Sequence, residues 1–515
     1  MAGLIFLLFC ISSFPGGLVV SNKFFTVTGN VLEKKQLIAK LLKFLPSNTV
    51  LFHEEEIIPY ECDGLSAYRQ SPMVVLLPDA VGQIEQIMAF CFEHQVPVVA
   101  RGAGTGLSGG ALPNQDGILL SLARFNNILA IDLDNQTARV QPGVTNLGIS
   151  DAVRPHGLYY APDPSSQIAC SIGGNVAENS GGVHCLKYGL TVHNVMSVEV
   201  ITVEGERMTL GSEALDAPGF DLLALFNGSE GMLGIIVEVT VKLLAIPEQA
   251  RVLLAAFDDI EKAGRAVGEI IAAGVIPAGL EMMDRLSIKA AEDFVHANYP
   301  LDAEAILLCE LDGDVRSVAA ETAIVKNVLE QAGATEIRIA EDEAERALFW
   351  KGRKSAFPAV GRLAPDYYCM DGTIPRSQLP EVLNNMQAMS ARYNLPVANV
   401  FHAGDGNLHP LILYDANNPG ELKKAEDFGA EILRLCVEVG GTITGEHGVG
   451  VEKIDQMCNQ FQTAELGQFH AIKAAFDQPG LLNPGKAVPT LHRCAELGAM
   501  HVHNGELPFP ELDRF

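Results

Sequence analysis

Two glycine-punctuated stretches in the C-terminal part of this sequence hold residues whose types and spacing could do chemistry. Residues 397–414 read VANVFHAGDGNLHPLILY, two apolar runs around Gly404-Asp405-Gly406-Asn407. Asp-Gly between apolar runs signals a two-residue hairpin loop. With Asp405-Gly406 as that loop, Gly404 pairs with Asn407, Ala403 with Leu408, and His402 with His409. Directly opposed residues share one face, with Cβ atoms about 5 Å apart. Two imidazoles placed so can ligate one metal ion; the plainer reading is a pair of stacked core histidines. Residues 441–450 read GTITGEHGVG, a Glu-His pair between glycines. Glu446 can complete a two-His-one-carboxylate set with open positions, which suits zinc, manganese or iron. His447 is then free to move a proton; the alternative is a Gly-rich loop with a chance Glu-His pair. Residues 349–357, FWKGRKSAF, carry the only Trp and a cluster of cations. Arg353 has the planar fork that grips a carboxylate with two parallel hydrogen bonds, whereas Lys351 and Lys354 equally suit a solvated face.

Upstream, three glycine-rich turns look built to let backbone approach a long ligand. The first is Arg101-Gly102-Ala103-Gly104-Thr105-Gly106-Leu107, running on through Ser108-Gly109-Gly110. It follows an apolar strand pattern at 96–102, and its glycines free backbone N–H groups to face an anion. It is not a Walker A loop, because no Gly-Lys-Ser/Thr follows. The second joins Pro162-Asp163-Pro164-Ser165 to Gly173-Gly174-Asn175 and Asn179-Ser180-Gly181-Gly182. The third, Gly228-Ser229-Glu230-Gly231-Met232-Leu233-Gly234-Ile235, opens a strand pattern at 235–244.

The elements that must position these groups follow from pattern. MVVLLP at 73–78 reads as a buried strand, 81–95 has apolar residues at helical spacing, and AILLCELDG at 305–313 reads as another strand. The divisions expected are an N-terminal segment at 1–50, a nucleotide-binding region at 51–247, a second α+β region at 248–486 and a tail at 487–515. With 515 residues, 48% hydrophobic and 19% charged, the chain buries a large core and is not disordered. A net charge of −27 repels nucleic-acid phosphates and argues against nucleic-acid binding. The ten cysteines form no CxxC pair, which leaves no ligand set for a zinc ribbon or an iron–sulfur cage and points to a reducing compartment. Residues 3–20 are apolar, but no Lys or Arg precedes them and Pro15-Gly16-Gly17 interrupts them. They read as a loosely ordered segment rather than a signal or anchor.

Together, PVVARGAGTGLSGGA, PDPSS, SIGGNVAENSGG, KYG (with Tyr188 and Gly189) and NGSEGMLGIIVEVTVKLL resemble the FAD-binding domain of the vanillyl-alcohol oxidase/p-cresol methylhydroxylase (PCMH-type) superfamily. The resemblance implies an FAD domain of two α/β subdomains followed by an α+β substrate domain. It implies that the first loop meets the pyrophosphate and that the later stretches surround the ribityl chain and isoalloxazine. Several relatives attach flavin to a His in the first loop; Thr105 stands there, so non-covalent FAD is expected. HAGDGNLHP, GEHGVGVEK and LNPGK are similar to the catalytic half of FAD-linked D-2-hydroxyacid dehydrogenases. FWKGRKSAFPAVGRLAPDYYCMDGTIPR and GAMHVHNGELPFPELDRF narrow this to the FAD-linked subunit family of bacterial glycolate oxidases (glycolate dehydrogenases).

In the related D-2-hydroxyglutarate dehydrogenases, residues matching His402, His409 and Glu446 hold a metal. His447 matches the catalytic His, Arg353 a carboxylate-binding Arg, and Asn407 a further site residue. Phe357 and Cys369 stand where that relative has a Thr and a Lys, which favours a small 2-hydroxy acid such as glycolate. The implied partners are a flavin-domain subunit and an iron–sulfur subunit, with a cytoplasmic location at the inner face of a membrane. The rival expectations are a stand-alone D-lactate or D-2-hydroxyglutarate dehydrogenase, a metal-dependent hydrolase, and a flavin-binding assembly subunit without turnover.

Overall fold

A computed structural model describes residues 32–214 and 218–490. The apolar run at 3–20, the ending at 498–515 and most of the expected tail lie outside the described residues.

The N-terminal half carries two sheets. Strands β1 (Val50–Leu51), β2 (Val74–Leu76), β3 (Val98–Arg101) and β4 (Ile118–Ser121) form the first, in the order β1-β2-β4-β3. β2, β3 and β4 run parallel. Parallel strands need both faces covered, and these do read as continuous apolar runs. Helix α1 (Val81–His94) covers one face with Ile84, Ile87, Met88 and Cys91. Val75, Val99 and Leu119 face the other way and pack with Ile57. The chain leaves α1 through Gln95 in the left-handed region and turns directly into β3. The second sheet is antiparallel. It comprises β5 (Ile128–Asp132), β6 (Thr137–Val140), β8 (Val195–Ile201), β9 (Arg207–Gly211) and β10 (Ile235–Lys242), in the order β5-β6-β10-β8-β9. β7 (Leu158–Tyr159) and β11 (Leu244–Ala245) make a separate pair.

From residue 249 a seven-stranded sheet takes over. Its strands are β12 (Gln249–Phe257), β13 (Gly279–Asp284), β14 (Ala305–Gly313), β15 (Glu336–Ile339), β16 (Asp366–Cys369), β17 (Val397–Phe401) and β18 (Pro410–Tyr414), in the order β15-β12-β14-β13-β17-β18-β16. Its period-2 alternation is plain in β12. Leu253, Ala255 and Phe257 point into one core, with helix α2 (Ile260–Ala272), while Val252, Leu254 and Ala256 point into the other, with helix α3 (Glu343–Lys354). The last segment returns to the first half. Helix α4 (Thr463–Phe476) packs Phe476 against Phe226, and Leu482 bridges to Val98 of β3.

Two expectations are corrected. The hairpin register is not His402 opposite His409. Asn399 pairs with Pro410 and His402 bridges Asn407, so the loop is the four residues 403–406. A two-residue type I′ loop needs positive φ at both central residues. Only Gly406 has it, at 82°, and a Cβ there would sit 2.1 Å from Ile374 O. The shift is by two residues, so His409 still shares a face with His402 as a diagonal neighbour. Second, Cys458 is disulfide-bonded, which the scattered cysteine positions did not indicate; seven other cysteines are free thiols.

Candidate active site

The hairpin delivers both histidines to one point. Its tip is held by Ile374 N donating to Gly406 O (3.0 Å) and Leu408 N to Gly372 O (2.9 Å). The His402 and His409 rings lie 5.1 Å apart, nearly perpendicular. Glu446 Oε1 is 3.5 Å from His402 Nε2 and 3.2 Å from His409 Nε2. His409 Nε2 and Glu446 Oε2 are buried without a hydrogen-bond partner. Buried polar atoms are normally satisfied, so these orphans mark a place for a ligand.

Glu281, on β13, orients His402. Its Oε1 lies 2.7 Å from His402 Nδ1, and its Oε2 accepts from Arg353 Nε at 2.8 Å, with Nη2 of the same ion pair 2.6 Å away. Burial opposes charge on Glu281, but His402 and Arg353 outweigh it and hold its pKa below the usual carboxylate range. An ionised carboxylate only accepts, so Nδ1 carries a proton, and Nε2 faces Glu446; against burial, Glu281 and Glu446 together raise the His402 pKa well above its ordinary value. Arg353 is 1% exposed.

Asp371, which follows β16, fixes the Glu-His turn. Its carboxylate accepts from Thr444 Oγ1 (2.6 Å), Asn407 Nδ2 (2.9 Å) and the backbone N–H groups of Gly445 (3.1 Å), Glu446 (3.3 Å) and His447 (2.8 Å). Lys453 Nζ adds an ion pair at 3.2 Å, both side chains being 0% exposed. Asp371, His409 and His447 form a second group close enough to hold an ion. A carboxylate offers about four lone-pair sites, and those of Asp371 are taken, whereas Glu446 Oε2 is free. The His402/His409/Glu446 group is therefore the better cation site. His447 stacks on His409, with ring centroids 5.0 Å apart. Its Nδ1 is buried and unpartnered. Burial pushes its pKa down to about 4, against the pull of Asp371. It is therefore neutral at ordinary pH and able to accept a proton.

His409, Glu446 and His447 open into a cavity of about 400 Å³ that also takes in the glycine-rich loops. Of the residues singled out in sequence, Arg101 through Leu107, Ser165, Gly173, Gly174, Asn175, Glu230 and Gly234 line it, with Phe357 and Lys354 at the catalytic end. The loops fit a polar ligand. A Cβ on Gly102 would lie 2.1 Å from Ser171 Oγ, while Gly106 faces open space. Ser171 Oγ and Asn175 Nδ2 are buried and unpartnered.

Other expected residues lie elsewhere. Asp163 pairs with His184 at 2.9 Å, and Tyr188 Oη donates to Asp312 at 2.7 Å. His402, Asn407, Gly181, Gly182 and Gly189 line a second cavity. Pro162, Asn179 and Ile235 line neither cavity. Sequence reading missed Asp371, Glu281 and Glu178. Glu178 lines the first cavity and has a buried, unpartnered Oε2, and burial, then the Glu230 charge, push its pKa well up. An acid inside the buried strand GLEMMD was the available signal for Glu281.

An FAD-binding domain model matches residues 72–211, and the model of the C-terminal domain of FAD-linked oxidases matches 246–487. The chain is 66% identical over 484 residues to the glycolate oxidase subunit GlcD of Escherichia coli K12, covering 94% of this chain and 97% of that one. It is 40% identical to Bacillus subtilis GlcD, covering 83% and 91%. It is 29% identical to a probable mitochondrial D-lactate dehydrogenase of Danio rerio, covering 81% and 84%. Among solved structures, p-cresol methylhydroxylase with substrate bound superposes with a TM-score of 0.75 at 17% identity, covering 89% and 97%. A 4-ethylphenol oxidase from Gulosibacter chungangensis does so at 0.75 and 18%, covering 90% and 99%. The fold is thus the PCMH-type FAD-binding fold with a C-terminal oxidase domain, and the chain belongs to the GlcD family of FAD-linked oxidases.

Proposed function

We propose that the chain is the substrate-oxidising subunit of a glycolate oxidase, converting glycolate to glyoxylate. The observation that carries this is the opening of His447 and the His409/Glu446 edge into the cavity lined by the flavin loops. FAD, when bound non-covalently in those loops, supplies the acceptor for the α-hydrogen as hydride. A divalent ion, when held by His402, His409 and Glu446, supplies Lewis-acid polarisation of the α-hydroxyl. His447, which lines the cavity, takes the hydroxyl proton. Lys354, at the cavity wall, is the cation placed to meet the substrate carboxylate, whereas Arg353, expected to grip it, is buried, lines neither cavity and pairs with Glu281 behind His402. Phe357 narrows the catalytic end of the cavity, which favours a two-carbon acid. Asn407 links the hairpin to Asp371.

Electrons leave through partners, because this chain has no cysteine cage of its own. A flavin-domain subunit and an iron–sulfur subunit fill that role, and they place the complex at the cytoplasmic face of a membrane. Among the described residues no helix is long and apolar enough to cross one. Similarity to D-lactate dehydrogenases supports a second reading, with D-lactate as substrate. A hydrolase is set aside, because the family is one of FAD-linked oxidases.

The test is anaerobic mixing of purified, yellow protein with glycolate or D-lactate, followed by acid denaturation. The expected result is faster flavin bleaching by glycolate and flavin released to the supernatant. Faster bleaching by D-lactate selects the second reading. No bleaching by either acid refutes both, and flavin retained on the denatured chain refutes the non-covalent link.

A further inference from the structure

The cation site touches two separate cavities. His409 lines the flavin-side cavity, His402 lines the second one, of about 810 Å³, and Glu446 alone lines both. The second cavity is walled by α2, through Gly268 and Ala272, and by the 373–377 segment. Nothing in a single-entrance active site requires such a space behind the ligands. Its unmatched polar groups are acceptors. Asn407 Oδ1 belongs to a side chain 4% exposed and has no partner, and neither has Glu446 Oε2. The Asp405 carboxylate also lines the space and accepts from Asn407 N at 3.1 Å. Arg376, whose Nη1 donates to Gly404 O at 2.9 Å, also lines the space. The carboxylate and amide oxygens of Asp405, Glu446 and Asn407 suit a partly hydrated divalent cation.

We propose that this second cavity is the port through which the divalent ion reaches and leaves His402, His409 and Glu446, so that the metal exchanges while flavin stays bound. The proposal rests on the metal reading given above. Metal entry through the flavin cavity would require the cofactor and substrate space to be vacated first. Entry past Asp405 and Asn407 does not.

Gly268 allows a clean test, because a Cβ there meets nothing within 4 Å. A larger side chain grows into the port without displacing backbone, and leaving Gly improves helix propensity. FAD-loaded wild type, Gly268→Phe and Ala272→Phe are reconstituted with Zn²⁺ and mixed with excess chelator. Zinc and FAD in the filtrate are followed separately. The expected result is zinc release slowed at least tenfold in both variants, with FAD retained and the same final zinc stoichiometry. Release at the wild-type rate in both variants, or release only after FAD has left, overturns the port. If wild type retains FAD but takes up no stoichiometric zinc, the metal reading itself falls and takes the port with it.

Discussion

Removing the charge of Asp371 should be far more damaging than its absence from the walls of both site cavities suggests, and the damage should depend on Lys453. The two side chains form an ion pair 3.2 Å apart, both 0% exposed. Asp371→Asn leaves the Lys453 ammonium buried with Gly448 O at 2.9 Å and Glu452 Oε2 at 3.8 Å as its remaining acceptors. Stranding one member of a buried pair costs about 3–5 kcal/mol. The amide also brings its own donor to a point where the N–H groups of Gly445, Glu446 and His447 converge, and each N–H left unmade costs about 1–3 kcal/mol. Lys453→Met is the milder change, at about 3 kcal/mol, because Asp371 keeps its other donors. In the double variant neither member of the Asp371–Lys453 pair is left without the other. Its cost should fall about 2–3 kcal/mol short of the sum of the single changes. Trp350, the only Trp, is buried in the C-terminal half, so its fluorescence during urea unfolding reads the half that contains the pair. Costs that add to within about 0.5 kcal/mol would refute the coupling.

Other outcomes follow from the same geometry. His402→Asn and His409→Asn should each abolish stoichiometric metal binding, whereas His447→Asn should keep metal and FAD and slow anaerobic flavin bleaching by ~10²–10⁴-fold. Metal retained in His402→Asn, or lost in His447→Asn, reverses the assigned roles. Arg353→Lys keeps charge but loses the fork that meets Glu281, and turnover should fall roughly 10²-fold, while Lys354→Ala should mainly raise KM for glycolate. A near-normal kcat/KM for the Lys variant removes Arg353 from the machinery. His184 joins Asp163 of the first half to Glu310 of β14, at 2.9 and 3.3 Å. Burial opposes its charge, but the two carboxylates prevail and raise its pKa to about 10. Its folded pKa exceeds the unfolded value of about 6.5, so its contribution is complete below about pH 6.5 and is lost as pH rises through about 10. The melting-temperature gap between wild type and His184→Gln should therefore be widest near pH 6 and close toward pH 10. A gap that does not vary with pH contradicts the ion-pair account.

The three glycine-rich loops and the two site motifs were legible because each is local. A turn that needs glycine, or a Glu-His pair between glycines, is written in consecutive residues. The hairpin histidines were legible only in parity. The Asp-Gly pair suggested a two-residue loop, but the close approach of Ile374, from a segment outside the hairpin, selects the four-residue one. Asp371 was illegible for a different reason. Its partners lie at 407, 444–447 and 453, and nothing in MDGTIPR says that its carboxylate collects backbone N–H groups from a distant turn. Glu281 and Arg353 show the same limit. The Arg was visible as a cation, but the buried acid that holds it sits 72 residues upstream.

The return of the chain to β3 has a consequence for biosynthesis. Val98 N donates to Leu481 O and Asn483 N to Val98 O, each at 2.8 Å, so β3 gains its second neighbour from residues about 380 positions later. Lys486 and Asn483 then close over Gly110 O at the end of the first glycine-rich loop. At ~5–20 residues per second, a ribosome takes roughly 20–80 s to make the intervening chain. Throughout that interval β3 is an unpaired edge beside an open cradle, the kind of surface that invites association with other chains. The flavin half is first in the chain but last to be sealed, so a nascent chain stalled before residue 480 would carry most of the cofactor loops and still lack the latch that closes them.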